Sequence, residues 1–166
     1  TLNKRELEQK FIDQVMDAQG IVHKVCNMYC DEQEDRKDLF QDILIHLWKS
    51  YSSFRGDSKF STWMYRVSLN VAMQRLRKTN TVKEDATGPA DFDEIKHPKK
   101  ETLPERELQI MHAAIEQLSD VEKAIVMLYL EEKGNEEIAE IVGISQNYVR
   151  VKMTRIREKL KMIIEV

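Results

Sequence analysis

The sequence predicts an all-α protein made of two small helical domains joined by a flexible acidic linker, the C-terminal domain being a helix-turn-helix. Three observations support this fold class. Apolar residues recur at three- and four-residue spacing, and no strand-like alternation of useful length occurs. The 166 residues include only five glycines and three prolines, which leaves few helix breakers. All three prolines fall between Thr79 and Leu108, where the helical periodicity is lost.

That aperiodic stretch predicts the domain organisation. It carries eight acidic and five basic residues and few apolar ones, a composition that does not support a packed core. We therefore predict an N-terminal domain over 1–79, a linker over 80–104 and a C-terminal domain over 105–166.

The first half of the N-terminal domain consists of helical patterns. The spacing is helical from Glu6 to Tyr29, and Gly20 is predicted to divide this stretch into two helices. A third helix is predicted from Asp35 to Ser50. It carries a broad apolar stripe that must be buried, made of Phe40, Ile43, Leu44, Leu47 and Trp48.

The opposite face of this third helix mixes carboxylates, an amide and one aliphatic side chain. The residues are Asp38, Gln41, Asp42 and Ile45, with Lys49 beside them. An isolated exposed isoleucine is common on protein surfaces. The same set is also what a docking surface for a basic partner helix would present, and both interpretations stay open on these residues alone.

A loop and a long helix complete the N-terminal domain. The loop, Ser52 to Ser61, brings Phe54 and Phe60 close to Trp63. Such aromatics either stack on unpaired bases or close a small core as a lid, and the composition favours the lid.

The helix from Ser61 to Lys78 is apolar over most of its surface and has one narrow polar strip, which contains four basic residues and no acid between Arg66 and Lys78. These are groups that bond to base edges and phosphates. The strip consists of Thr62, Arg66, Asn70, Gln74 and Arg77.

In the C-terminal domain, a helix resumes at about Glu105, and a capping box of Ser119 and Glu122 opens a helix over Val121 to Glu132. Two short-linked helices follow and define the helix-turn-helix. Asn135 is predicted to cap the first, Gly143 to end it in a left-handed conformation, and Ser145 to cap the second from Gln146.

This last helix has the pattern of a recognition helix. Its apolar residues form one face, and the stretch from Gln146 to Lys161 contains six basic residues and one acid. Its outward side is predicted to enter the major groove of DNA. The alternative is a solvated charged face on an ordinary helical hairpin. The outward side carries Asn147, Tyr148, Arg150, Val151, Thr154 and Arg155.

The two cysteines raise the question of a metal or redox site. His23, Cys26 and Cys30 would share one side of a helix, which would suit zinc. Only three ligands are at hand, however, and Val22 and Val25 interleave with them at core spacing. We therefore predict cysteines packed as small hydrophobic residues, and no metal or cofactor.

Charge and composition limit the function classes. The net charge of −3 indicates that nucleic-acid contacts would rest on local basic patches. No apolar run approaches the roughly 18 residues of a membrane span, so no membrane insertion and a cytoplasmic location are expected. Four scattered histidines and no nucleophile–base constellation predict a protein that is not an enzyme.

Two stretches together resemble a known family. They run from Glu34 to Lys78 and from Leu118 to Lys161, and they contain the motifs DLFQD, KFSTWMYRVSLN and EIAEIVGIS in this order. In this combination the chain resembles a bacterial RNA polymerase sigma factor of the extracytoplasmic-function group, the minimal two-domain kind.

The resemblance implies three binding surfaces. Asp38, Gln41, Asp42 and Ile45 would dock on the clamp helices of the largest subunit of the RNA polymerase core. A second set would engage and help open the downstream promoter element, and a third would read the upstream element as duplex DNA. The second set is Phe60, Trp63, Arg66, Asn70, Gln74 and Arg77, and the third is Asn147, Tyr148, Arg150, Val151 and Arg155.

The resemblance also implies partners. The acidic linker would pass through the RNA exit path of the polymerase, and an anti-sigma factor is an expected partner. Gln74 and Tyr148 depart from the residues more common in the family at their positions, which affects the base sequence preferred. Two other functions remain as alternatives, a stand-alone helix-turn-helix regulator and a helical adaptor that binds only protein.

Overall fold

The computed structural model describes residues 1–85 and 103–164, with side chains over 1–78 and 105–164. These residues form eight helices and no strand, which confirms the all-α prediction. None of the described helices is both long and apolar enough to span a membrane. The helices are α1 (Lys4–Asp17), α2 (Gln19–Tyr29), α3 (Gln33–Tyr51), α4 (Phe60–Asp85), α5 (Leu103–Glu116), α6 (Asp120–Leu130), α7 (Asn135–Val142) and α8 (Gln146–Ile164).

In the N-terminal domain, α2, α3 and α4 pack against one another and α1 packs on α2. The boundary between α1 and α2 lies at Ala18, so the prediction of a break at Gly20 was wrong by two residues. Gly20 lies in the first turn of α2. Its cost in a helix, about 1 kcal/mol relative to alanine, is offset by the complete burial of Val22 and Val25 further along the same helix.

The buried stripe of α3 differs from the predicted one. Leu39, Ile43, Leu47 and Tyr51 are buried, at four-residue spacing, whereas Trp48 is 40% exposed. The Trp48 ring lies at the edge of the core, 5.0 Å from the ring of Phe11 in α1. The helices packed against α3 cover only a narrow stripe of its surface. The apolar periodicity predicts a broad stripe but does not tell which edge of it stays exposed to solvent.

Local signals set the boundaries in the C-terminal domain. The predicted capping box is present, with the Glu122 N–H donating to Ser119 Oγ at 3.2 Å and the Ser119 N–H donating to Glu122 Oε1 at 3.0 Å. Gly143 ends α7 with φ +81°, a conformation that disfavours other residues. The Tyr148 N–H donates to Ser145 Oγ at 3.1 Å, which confirms Ser145 as a cap. Asn135, in contrast, is the first residue of α7 and does not cap it.

The two domains pack against each other. Helix α7 of the helix-turn-helix lies on α4, and α6 lies near α2. The Tyr29 hydroxyl donates to the backbone carbonyl oxygen of Asp120 at 2.6 Å, and Lys24 Nζ lies 2.7 Å from a Glu131 carboxylate oxygen. Helix α4 continues to Asp85 and α5 begins at Leu103. The remainder of the predicted linker, 86–102, lies outside the described residues.

Candidate nucleic-acid and polymerase interfaces

One face of α8 carries the residues predicted to read the upstream element. Val149, Met153 and Ile156 are buried at 0%, 7% and 1% exposure, which fixes the rotation of the helix on its domain. The five predicted residues therefore point away from the core, and all are exposed. We call them the recognition strip: Asn147, Tyr148, Arg150, Val151 and Arg155.

The cations of α8 fall into two groups. Lys159 Nζ lies 3.0 Å from Glu122, and the Arg157 guanidinium lies 5.6 Å from the centre of the Tyr129 ring, so both hold the helix to α6. Arg150 and Arg155 have no side-chain partner among the described residues. The two arginines of the recognition strip are thus available for an external anion, whereas part of the positive charge counted from sequence stabilises the domain.

Glu122 is a residue whose double role the sequence indicated only in part. Burial would raise the pKa of its carboxyl group, but the backbone N–H of Ser119 and the Lys159 ammonium group outweigh burial and lower the pKa. The capping box was visible in the sequence. The pairing with Lys159, 37 residues away, was not.

The polar strip of α4 is divided into two parts. Asn70, Gln74 and Arg77 are exposed along one side of the helix, and we call them the α4 strip. Thr62 is 2% exposed and Arg66 is half-buried. Only the later half of the predicted strip is therefore open to a ligand in this arrangement.

Helix α7 covers the earlier half of that strip. The Thr62 hydroxyl donates to Glu137 Oε1 at 3.1 Å. The Arg66 guanidinium donates to the backbone carbonyl oxygen of Glu140 at 3.2 Å and lies 3.4 Å from its carboxylate. These four residues form what we call the α4–α7 interface. The Glu140 carboxylate is thus the anionic partner of Arg66 in this arrangement. The three glutamates of α7 were visible in the sequence, but their position against α4 was not.

The aromatic residues at the start of α4 form a lid on the core. Trp63 is 7% exposed, and its ring centre lies 5.2 Å from that of Phe54 and 5.4 Å from that of Phe60. This packing agrees with the lid interpretation. Phe60 remains half-buried, so part of its ring is accessible, whereas Trp63 is not.

The predicted polymerase-docking residues share one face of α3. Arg75 from α4 lies 2.7 Å from an Asp42 carboxylate oxygen and 3.8 Å from one of Asp38. This fixes the two carboxylates in place while leaving both partly exposed. Gln41 is exposed beside them, and Ile45 is 50% exposed. Trp48, which the apolar periodicity of α3 places in the core, is 40% exposed and extends this face by one turn.

The cysteines lie in and against the hydrophobic core. Cys26 is 3% exposed, and Cys30 is half-buried. Burial raises the pKa of the Cys26 thiol to about 11, which disfavours the thiolate that a metal would require. The His23 ring stacks on Phe40 with ring centres 4.7 Å apart. The packing prediction agrees with these positions.

Sequence comparisons find these two domains in known proteins. The family described as Sigma-70 region 2 matches residues 15–81, and the family described as Sigma-70, region 4 matches residues 108–160. The ECF RNA polymerase sigma-E factor of Escherichia coli strain K12 is 34% identical over 137 residues, which cover 76% of this chain and 72% of the relative. The RNA polymerase sigma-H factor of Pseudomonas aeruginosa is 26% identical over 152 residues, covering 83% and 79%.

Solved structures share the fold. A sigma factor RpoE in complex with the anti-sigma factor NepR from Bartonella quintana matches with a TM-score of 0.75 at 21% identity, over 95% of this chain and 98% of that chain. CnrH in complex with the cytosolic domain of CnrY matches with a TM-score of 0.66 at 18% identity, over 98% and 90%.

Proposed function

Because this chain belongs to the extracytoplasmic-function group of the sigma-70 family, it is a promoter-specificity subunit of RNA polymerase, and we propose which of its surfaces carries out each part of that role. Sigma factors are non-catalytic initiation factors. We assign no enzymatic activity to this chain. The polymerase carries out all bond formation. Its site of action is then the cytoplasm, where bacterial transcription takes place.

The recognition strip is the surface that reads the upstream promoter element. The observation that carries this assignment is the pair of arginines, Arg150 and Arg155, exposed and unpartnered among the described residues on a helix fixed by a capped turn. A helix held in this way can place its N-terminal half in the major groove. There, arginine and asparagine side chains match guanine and adenine edges.

The α4 strip is the surface that engages the downstream element and assists its opening. Asn70 and Gln74 supply hydrogen-bonding groups for bases, and Arg77 supplies charge for the phosphates. Phe60, half-buried at the start of α4, can offer a ring face to an unstacked base. Arg66 joins this surface once α7 has moved away from it.

The α3 face is the surface that docks on the polymerase. Asp38 and Asp42 pair with Arg75 and remain partly exposed. The exposed side chains of Gln41 and Ile45 lie beside them. An aliphatic side chain among fixed carboxylates complements a basic helix with an apolar stripe, which is the expected character of the clamp helices.

Binding to a promoter requires the two domains to separate. We call the arrangement in which α7 lies on α4 the closed arrangement. In it, Glu140 takes the place of a phosphate on Arg66. We infer that the free protein rests closed and that the polymerase holds it open. An anti-sigma factor that binds the closed form would keep it inactive, and the similar sigma factor RpoE was solved in complex with the anti-sigma factor NepR.

The decisive experiment is run-off transcription with core polymerase and this protein on a genomic library. We expect initiation at a restricted set of sites that share an upstream and a downstream element. A correctly folded protein that cannot redirect initiation to any site would refute the proposal. Tight, specific duplex binding by the protein alone, without an effect on the polymerase, would instead identify a stand-alone regulator.

A further inference from the structure

Three side chains of types that can bind a metal ion converge at the boundary between the domains. Asp31 follows α2 in the N-terminal domain, and His112 and Glu116 lie one turn apart on α5 in the C-terminal domain. His112 Nε2 lies 3.5 Å from Asp31 Oδ1 and 3.5 Å from Glu116 Oε1. One ligand atom from each of the three residues lies within 4.8 Å of both others.

The two distances from His112 to the carboxylates suit a shared ion better than direct hydrogen bonds. A distance of 3.5 Å is long for a hydrogen bond from an imidazole to a carboxylate. Two ligands placed roughly 2.0–2.2 Å from a tetrahedral zinc ion lie about 3.4 Å apart. The observed His112–carboxylate distances are therefore close to the edge of such a tetrahedron.

We propose that Asp31, His112 and Glu116 form a binding site for a divalent transition-metal ion that joins the two domains. One imidazole and two carboxylates favour zinc, or a similar ion that accepts nitrogen and oxygen, over magnesium or calcium, which prefer oxygen alone. All three side chains are exposed. Water can therefore complete the coordination, and ions can enter from solvent.

The geometry of α5 allows His112 and Glu116 to bind the same ion. A histidine and a ligand four residues further along lie on the same face of an α-helix, which allows both to bind one ion without a change in the backbone. A cavity of about 310 Å³ adjoins His112 and Glu116 and is also lined by Lys24 and Lys123. Lys24 is neutralised by Glu131 at 2.7 Å, so less positive charge opposes the cation.

The ion would stabilise the closed arrangement because its ligands come from both domains. Separation of the domains removes Asp31 from the other two ligands, so bound metal opposes opening. This consequence for regulation rests on the proposed function. The site itself does not, and its test needs neither polymerase nor DNA.

The test uses tag-free, full-length protein stripped of metal and titrated with zinc chloride by calorimetry. We expect one ion per chain in the wild-type protein and affinity at least about ten-fold weaker in His112→Ala, Glu116→Gln and Asp31→Asn, since the first removes a ligand and each of the others replaces an anionic carboxylate with a neutral, weakly coordinating amide. Substitution with cobalt should give the visible absorption of a nitrogen–oxygen site without thiolate bands. His46→Gln, which alters another exposed histidine, should bind as the wild type does.

Four outcomes would overturn the proposal. They are the absence of stoichiometric binding in the wild type, unchanged affinity in His112→Ala, unchanged affinity in Asp31→Asn, and thiolate absorption, which would point to the cysteines. Asp31 is the one ligand from the N-terminal domain, so unchanged affinity without its carboxylate would mean that no ion joins the two domains. Thermal unfolding of Asp31→Asn provides a second measurement, in which zinc should raise the midpoint less than in the wild type.

Discussion

Two buried hydroxyl groups on α4 behave differently. The Thr62 hydroxyl donates a hydrogen bond to Glu137 of the other domain. Ser68 is completely buried, and in the described part of the chain its Oγ is the one buried side-chain nitrogen or oxygen atom without a hydrogen-bond partner. An unsatisfied buried hydroxyl costs about 1–3 kcal/mol. Ser68 is therefore a residue at which a smaller apolar side chain should improve the fold.

We predict that Ser68→Ala increases the free energy of unfolding by about 1 kcal/mol, because it removes a polar atom that gains nothing in the folded state. Urea denaturation followed by circular dichroism would measure this. Thr62→Ala is the matched control and should not stabilise, since it removes a satisfied group and leaves Glu137 with one partner fewer. A destabilised Ser68→Ala would indicate that the hydroxyl is satisfied in solution.

Arg150 is the residue on which promoter reading should depend most. Arg150→Ala is expected to reduce discrimination between a matched and a scrambled upstream element by about 1–3 kcal/mol, measured with the polymerase holoenzyme. Lys161→Ala, near the end of the same helix, should weaken binding to both DNAs equally. If Arg150→Ala weakened binding to the matched and the scrambled element equally, as Lys161→Ala should, Arg150 would not be a residue that reads the upstream sequence.

At the level of elements, α6 and α8 are joined through a single carboxylate. Glu122 caps α6 and pairs with Lys159, and these contacts outweigh its burial and hold its pKa below the ordinary value of 4.5. A group whose pKa is lower in the folded state stabilises the fold at pH above its unfolded pKa. That contribution is lost as the pH falls through the lowered value.

We therefore predict that part of the acid destabilisation of the C-terminal domain comes from Glu122. Chemical denaturation between about pH 7 and about pH 3 should show a decrease in stability that is smaller in Glu122→Gln, because the amide does not titrate. At neutral pH the variant should be the less stable protein, since it loses the charge pairing with Lys159. Parallel pH profiles for the two proteins would contradict this assignment.

The face of α3 can be tested as a unit through its aliphatic centre. Ile45→Asp should abolish co-purification with the polymerase core while leaving the circular dichroism spectrum unchanged, because Ile45 is half exposed and its loss leaves no cavity. Ile12→Asp, a similarly exposed isoleucine on α1, is the matched control and should bind normally. Retention of polymerase binding by Ile45→Asp would move the docking surface elsewhere.

On the scale of the whole molecule, the closed arrangement is held by few polar contacts. The Arg66–Glu140 and Lys24–Glu131 pairs are both partly exposed, and such pairs contribute about 0–1 kcal/mol each. Together with the packing of α7 on α4, they form an interface that a large partner can displace. This suits a protein whose two proposed DNA-binding surfaces would have to face one promoter.

We predict that Glu140→Lys shifts the free protein towards an open form, because it replaces an ion pair with a repulsion at Arg66. The radius of gyration from small-angle scattering should increase. The charge-swapped double variant, Arg66→Glu with Glu140→Lys, should restore the compact value. If the single variant stays compact, the α4–α7 interface is not what holds the domains together.

The sequence by itself determined the eight helical segments, the caps at Ser119, Gly143 and Ser145, and the outward side of α8, because these follow from local periodicity and from hydrogen bonds between residues close in the chain. Ser119, Gly143 and Ser145 act within one turn of their partners, so each was recognisable without a fold. The family resemblance, which the comparisons confirm, likewise depended on motifs within single helices. The assignment of individual contact residues remains a prediction.

Only the tertiary structure decided how the domains meet. The pairing of Arg66 with Glu140 spans 74 residues, and that of Tyr29 with Asp120 spans 91. The same holds for the convergence of Asp31 with His112 and Glu116. No local pattern encodes such contacts, because they depend on the relative position of two bodies that pack through complementary surfaces. Those contacts determine which part of the predicted DNA-binding surface is open in the free protein and which is covered.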